Sequence, residues 1–356
     1  MKQIIKALLP SKAISRLRDV KALIDERIIV FFSKSGFLAS IYYLIFSRQF
    51  DREHKSVLSG RIAYKSSLGE IGSSSTLLRR NVHRLEKGLI MRPRRSVFAQ
   101  DYIQETVDNF AKCANSNEIC GEEFRWGKDV LSEYFSVVEQ TSVVVNAKYT
   151  FETALQKNEP PVTTGDDYIP YSYDNVPESS ISYEQLFTLF KRRRSVRWYQ
   201  EKSVDFQMIA KAIDAATLAP SACNRQPYRF HVETDPKRAT VIAKCAMGTA
   251  GFAENLQAMI VVIGDLSAYP KERDRHVIYI DASLASMQLM LSLETLGLSS
   301  CPINWPDIEK NERKLERLLQ LKPYERPIML MATGFAHPDG GVPFSQKKSS
   351  EILIRN

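Results

Sequence analysis

Residues 157–182 constrain this chain more than any other stretch. They read Asn158-Glu159-Pro160-Pro161-Val162-Thr163-Thr164-Gly165-Asp166-Asp167, then Tyr, Pro and Ser, with neither a helical nor a strand hydrophobic period. Such a segment has no face to bury, so it reads as linker and divides the 356 residues into regions 1–156 and 183–356. With 44% hydrophobic residues a chain of this length can bury a substantial core. No internal repeat is evident.

The two sides differ in period. From Pro10 to about Leu155 the pattern is mainly helical, opening with Ile14, Leu17, Val20 and Ile24 at helical spacing and Arg16, Arg18, Lys21 and Arg27 elsewhere. That stripe suits either a core-facing helix or an amphipathic helix on a membrane surface. After Ser182, short runs rich in β-branched, aromatic and Met residues at Gln226–Glu233, Ala258–Gly264 and Pro327–Phe335 alternate with helical segments, which predicts an α+β or α/β domain. Asp205 is placed to cap a helix, with Val204 and Ile209 as a hydrophobic staple and Phe206, Ile209, Ile213 and Ala216 as its buried stripe. A second helix, Asp281 to Leu296, has almost no polar face; it belongs in the core or at a subunit interface, and Gly297 can end it.

Charge is uneven. Residues 1–100 hold 20 Lys and Arg against 7 Asp and Glu, and the remainder 29 against 34, so the net +8 belongs to the N-terminal part. A basic patch there would attract anionic lipid, nucleic acid or an acidic partner, or be a solvated helical surface. Nucleic acid is not expected, because no helix-turn-helix or stacking-aromatic pattern accompanies the charge. The apolar run Ile28–Phe46 is broken by Ser33-Lys34-Ser35-Gly36, and a central lysine is costly in lipid, so packed helices are expected rather than a span. The start, Met1 to Lys6, has no long apolar core of a secretory signal. Cys113, Cys120, Cys223, Cys245 and Cys301 are odd in number and lack CxxC or Cys/His metal spacing. Neither disulfides nor a metal site is expected, and a cytoplasmic address fits, with peripheral attachment at the inner face of the membrane as the variant.

Two segments carry chemistry. Arg192-Arg193-Arg194-Ser195-Val196-Arg197 follows an apolar helix and gathers guanidinium groups, whose planar forks suit phosphate. About two dozen residues on, Ala219-Pro220-Ser221-Ala222-Cys223-Asn224-Arg225-Gln226-Pro227-Tyr228-Arg229-Phe230 ends a helix before a strand; its backbone N–H groups with Ser221, Asn224 and Gln226 could satisfy a polar heterocycle. By themselves these are also what a solvated charge run and a self-satisfied loop look like. No GxGxxG opening a βαβ unit, Walker A loop, GxSxG or HExxH competes with them. Cys223 and Cys301 have no histidine near in sequence to make either a nucleophile.

Together the segments resemble the nitroreductase family of flavoproteins, whose motifs take the form R-R-S-x-R-x-[FY] and A-P-S-x-x-N-x-Q-P-[WY]-x-F. The likeness continues through Met259–Ile263, the apolar helix and Leu296-Gly297-Leu298-Ser299-Ser300-Cys301-Pro302, covering 183–356. The resemblance implies an α+β, three-layer domain with a central mostly antiparallel sheet flanked by helices, preceded here by the mainly helical region. It implies FMN, with Arg193, Arg194, Ser195 and Arg197 on the phosphate and ribityl chain, Pro220, Ser221, Ala222, Asn224 and Gln226 along the isoalloxazine, and Cys301, Pro302 and Ile303 on its N5 side. Where the family brings a basic pair back to the phosphate, this chain has Lys347 and Lys348, of which Lys347 is the expected partner. The implied activity is hydride transfer from NAD(P)H through the flavin to a small-molecule acceptor, in a homodimer whose subunits share the flavin. A scaffold that keeps the fold without turnover, docked to a membrane or glycan-assembly partner, is the alternative. Residues 78–95, with Arg79-Arg80-Asn81-Val82-His83-Arg84-Leu85-Glu86-Lys87-Gly88, are similar to the N-terminal part of nitroreductase-like proteins of polysaccharide biosynthesis; equally, they suit a plain helix with His83 and Lys87 on one face and ended by Gly88.

Overall fold

The computed structural model describes residues 27–157 and 167–355. The expected stripe at Ile14–Ile24 and residues 158–166 of the linker fall outside the described residues. By compactness the chain falls into Met1–Lys55 and Ser56–Asn356, taken in turn.

In the first unit, residues 27–32 are helical and α1, Gly36–Tyr42, follows, capped by Ser35, whose side chain accepts from Leu38 N. The helix runs on as a π turn, Tyr43–Ser47, and stops at Arg48 in the left-handed region. Rings tie the two pieces together, Phe32 lying 5.8 Å from Tyr42 and 5.4 Å from Phe46. The expectation of packed helices fails here: none of residues 27–55 is buried, and Phe37 and Leu44 are 76% and 75% exposed. Each piece is apolar around its whole circumference, so contact with the other covers only one side.

In the second unit, α2 (Asp51–Ser67), which begins at the boundary, leads to α3 (Thr76–Leu89), α4 (Ile103–Ala114), α5 (Gly121–Val137) and α6 (Ser142–Lys157). Leu78, Val82, Leu85 and Leu89 recur at helical spacing and meet Val107, Phe110, Leu131, Tyr134 and Phe151 in one core. The chain does not end α3 at Gly88: a side chain there would strike the Phe98 ring at 2.4 Å, so the glycine admits a close approach instead.

Beyond the linker come α7 (Tyr183–Arg192), α8 (Phe206–Ala216), β1 (Tyr228–Glu233), α9 (Pro236–Ala243), β2 (Ala258–Asp265), α10 (Val277–Thr295), β3 (Ser299–Asn304), α11 (Glu309–Leu319), β4 (Glu325–Gly334) and the short α12 (Ser350–Leu353). The four strands form an antiparallel sheet in the order β1-β2-β4-β3. The period of two in β2 sets the layers. Met259, Val261 and Ile263 pack with Ile242 of α9 and Leu315 of α11, while Ala258 and Ile260 pack with Ile209 of α8 and Leu289 and Leu293 of α10. The α+β, three-layer architecture is therefore present, preceded by helices. Asp205 caps α8, accepting from Gln207 N, and Gly297, at φ +80°, ends α10. Phe206 of the expected stripe is instead 51% exposed, and Ala212 takes the buried place.

Candidate active site

The arginine segment is positioned by what brackets it. Ser182 and Gln185 form a capping box at the start of α7, and Arg193 is its C-cap, so the chain leaves the helix extended. It then pairs with the sheet: Ser195 bridges Ser300 of β3, Val196 N donates to Ser300 O at 3.1 Å, and Gln200 N donates to Phe335 O at 2.8 Å. Val196 and Tyr199 are buried. Tyr199 donates to Val196 O at 2.7 Å, and its ring lies where a side chain on Gly334 would stand, 2.9 Å away. Alternation therefore buries Val196 and leaves Ser195 and Arg197 half-buried on the other side.

Arg194 is committed to structure, donating to the carbonyls of Pro343 and Phe344. That contact draws the tail carrying Lys347 to the arginine segment; Lys347 itself is exposed. Among the described residues Arg193 Nε is buried without a hydrogen-bond partner, and so is Oγ of Ser300, the residue that Ser195 bridges. Arg192 faces the buried Glu294 at 3.4 Å, and burial pushes that carboxyl up. Arg197 lies 5.9 Å from the Phe252 ring. Burial also raises the Cys301 thiol, against the pull of Arg197 and Arg193. The Cys301 and Ile303 side chains turn into the core, at 1% and 7% exposure, which leaves Pro302 and the strand backbone facing outward.

The second segment is a strained loop. Cys223, Asn224 and Gln226 have φ of +54°, +50° and +48°, the left-handed region that non-glycine residues enter at a cost. It holds because two helices brace it. Asp281 of α10 accepts from Ala222 N at 2.9 Å. Arg79 of α3 donates from Nε to Asn224 O at 2.8 Å and from Nη2 to Gln226 Oε1 at 3.0 Å. Its third nitrogen, Nη1, lies 2.9 Å from Glu123, itself 6% exposed and accepting from Ser74 Oγ and Ser75 N, both at 2.7 Å. Inside the loop, Ser221 Oγ accepts from Gln226 N and Gln226 Nε2 donates to Thr217 O. Burial raises the Asp281 carboxyl, partly offset by the Ala222 N–H, Tyr269 and Arg225.

The contacts of Arg79 and Asp281 with this loop are ones the residue patterns did not pick out. A face of Arg79, His83 and Glu86 at i, i+4 and i+7 was available as a signal. In the structure His83 and Lys87 both lie in α3, one turn apart, and His83 Nδ1 lies 3.1 Å from Glu86, whose other oxygen accepts from Trp126 Nε1.

The two segments do not meet. Ala222 is bonded to Asp281 and Arg192 faces Glu294, and those acidic residues lie 13 positions apart on α10, about 20 Å of helix rise. They also flank opposite edges of the sheet, the loop entering β1 and Ser195 bridging β3. Among the described residues no three His, Cys, Asp or Glu gather to hold a metal.

The nitroreductase family profile matches residues 190–250 and 234–335, spanning both segments. A protein of Archaeoglobus fulgidus, provisionally named an NADH dehydrogenase/NAD(P)H nitroreductase, is 31% identical over 140 residues, 39% of this chain and 76% of that protein. The chain belongs to the nitroreductase family, a family of oxidoreductases. Iodotyrosine deiodinase 1 of Mus musculus is 23% identical over 221 residues, 53% of this chain and 75% of that protein. Among solved structures, an FMN-dependent nitroreductase from Clostridium difficile covers 48% of this nitroreductase-family chain and 98% of its own, at 23% identity and a TM-score of 0.42. Membership rests on the sequence matches.

Proposed function

We propose that this chain is an FMN-dependent oxidoreductase that passes a hydride from NADH or NADPH to a small-molecule acceptor, working as a homodimer. The observation that carries it is the arginine segment laid along β3 by the Ser195–Ser300 bridge, in which the buried Arg193 Nε has no hydrogen-bond partner among the described residues. A buried guanidinium N–H without an acceptor is costly unless a ligand supplies one, and a phosphate does so with charge-assisted bonds. FMN, when bound, supplies the two-electron chemistry. The chain's own residues hold it. Arg193 and Ser195 offer donors for the phosphate and ribityl hydroxyls, and Arg197 adds positive charge on the same side. Lys347 is carried toward the anion by the tail that Arg194 grips.

The homodimer is supported by the separation of the segments: a loop about 20 Å along α10 from the arginines serves a flavin held by a second copy more readily than one held by its own. Exposed apolar residues agree. Ile280, Leu284 and Met287 form a stripe on the outer side of α10, and Leu186, Phe187 and Phe190 another on α7. The acceptor falls in the nitroaromatic or quinone class or is a metabolite; a place in polysaccharide biosynthesis is supported by the likeness at residues 78–95 alone. The five unpaired thiols suit a cytoplasmic address.

The deciding experiment is an absorbance spectrum of the purified protein before and after anaerobic NADH or NADPH. A flavin spectrum that bleaches and recovers in air is expected. Protein that stays colourless after FMN is supplied sinks the assignment of Arg193, Ser195 and Arg197, and flavin that no nicotinamide reduces favours the scaffold.

A further inference from the structure

The most exposed apolar surface lies outside the flavin reading, in the unit Met1–Lys55. Ile29, Val30, Phe31, Phe37, Leu44 and Ile45 are between 51% and 76% exposed, all within one pair of short helical pieces. Soluble proteins rarely leave so dense a patch uncovered. Its length limits what it can do. The apolar helix Gly36–Ser47 is about 18 Å long, against about 30 Å of hydrocarbon, and Lys34 sits in the turn before it, so this segment does not span. The one described helix long and apolar enough to cross, Glu272–Thr295, is 44% buried and contains α10, which packs on the sheet.

Charge selects the occupant. Residues 1–55 hold 11 Lys and Arg against 5 Asp and Glu. A second copy docked on this face would bring two such basic segments together, whereas an anionic bilayer neutralises them while burying the same side chains. Arg27 and Lys34 bracket the first piece and are exposed, placed to keep their heads among lipid phosphates while their stems lie along the apolar surface; Arg48, after the second, is paired with Asp51 at 2.7 Å. Tyr42 and Tyr43 add the amphipathic rings favoured at that depth.

We infer that residues 27–50 seat this protein on an anionic membrane surface, lying in the plane of the interface with the apolar side chains in the acyl boundary. This does not depend on the flavin assignment.

The test is co-sedimentation of the full chain with vesicles of phosphatidylcholine alone and of phosphatidylcholine mixed with phosphatidylglycerol. The wild type should pellet with the anionic vesicles, less so in high salt. The triple variant Phe37→Ser, Leu44→Ser, Ile45→Ser should lose partition by at least about tenfold, with its melting temperature unchanged, because none of the three is buried. Wild type that stays in the supernatant with anionic vesicles overturns the inference, as does a triple variant that pellets like wild type. Light scattering that finds a dimer dissociated by the triple variant, without vesicle binding, assigns the face to a second copy instead.

Discussion

Arg193 and Arg194 are adjacent, yet they do different work, and the difference is legible in their partners. Arg194 already has two carbonyls; Arg193 has an N–H that nothing among the described residues accepts. Arg193→Ala therefore removes no protein contact at Nε while taking away a charge-assisted bond worth about 1.5–3 kcal/mol. The expected result, by fluorescence titration, is FMN affinity about 10- to 100-fold weaker, with a small fall in melting temperature because the buried Glu294 loses part of its cationic surroundings. Asp281 gives a pH signature. Its carboxyl is raised above the usual 3.8 by burial, so as pH rises past that value the unfolded chain ionises first and stability falls until the folded carboxyl ionises too. Asp281→Asn keeps an acceptor for Ala222 N and removes the charge. Its urea midpoint should fall less than that of wild type across that window, and parallel curves would exclude Asp281 as the source.

At the scale of elements, what could be read beforehand follows from how each element satisfies its backbone. The runs containing β2 and β4 are apolar because these strands pair on both edges and are buried on both faces, and their hydrophobic content gave them away; β1, at the end of the sheet, is only half-buried and showed itself by its aromatic and β-branched residues Tyr228, Phe230 and Val232. β3 was hidden. Ser299, Ser300 and Pro302 read as a turn, and Pro302 is tolerated because the strand lies at the end of the sheet, with β4 on one side. The motif residues of both segments were visible as types. Their separation was not, since strand order and the brace on α10 are properties of the fold. The apolar girth of α10 was likewise visible, but not its division: Ile278, Ala282, Ala285 and Leu289 are buried, while Ile280, Leu284 and Met287 are at the surface. If the proposed homodimer uses this face, Leu284→Asp should leave the sheet intact and dissociate it, lowering mass by light scattering to that of one chain and FMN retention with it. A dimer that survives the substitution would remove α10 from the interface.

Across the whole molecule, the regions on either side of the linker are tied to each other. The helices before it keep a core of their own, yet Ser56–Asn356 is one compact unit, and Arg79 reaches across to hold Asn224 and Gln226. Arg79→Met should lower stability by about 3 kcal/mol, read from urea unfolding, because Glu123 is left buried without its cation. Hydrogen exchange should rise at residues 222–226 specifically, and Arg79→Lys, a point charge without the planar fork, should restore Glu123 but not the loop. Exchange unchanged at 222–226 in both variants would mean the loop holds itself.

The same brace bears on heredity. Two of the three residues in the left-handed region, Asn224 and Gln226, are held by a guanidinium encoded some 145 codons upstream, so the halves of this gene are not free to drift or recombine apart. A hybrid that takes its flavin-side half from here and its helical half from a relative should recover the loop only if an arginine and its buried glutamate come with the transplanted helices.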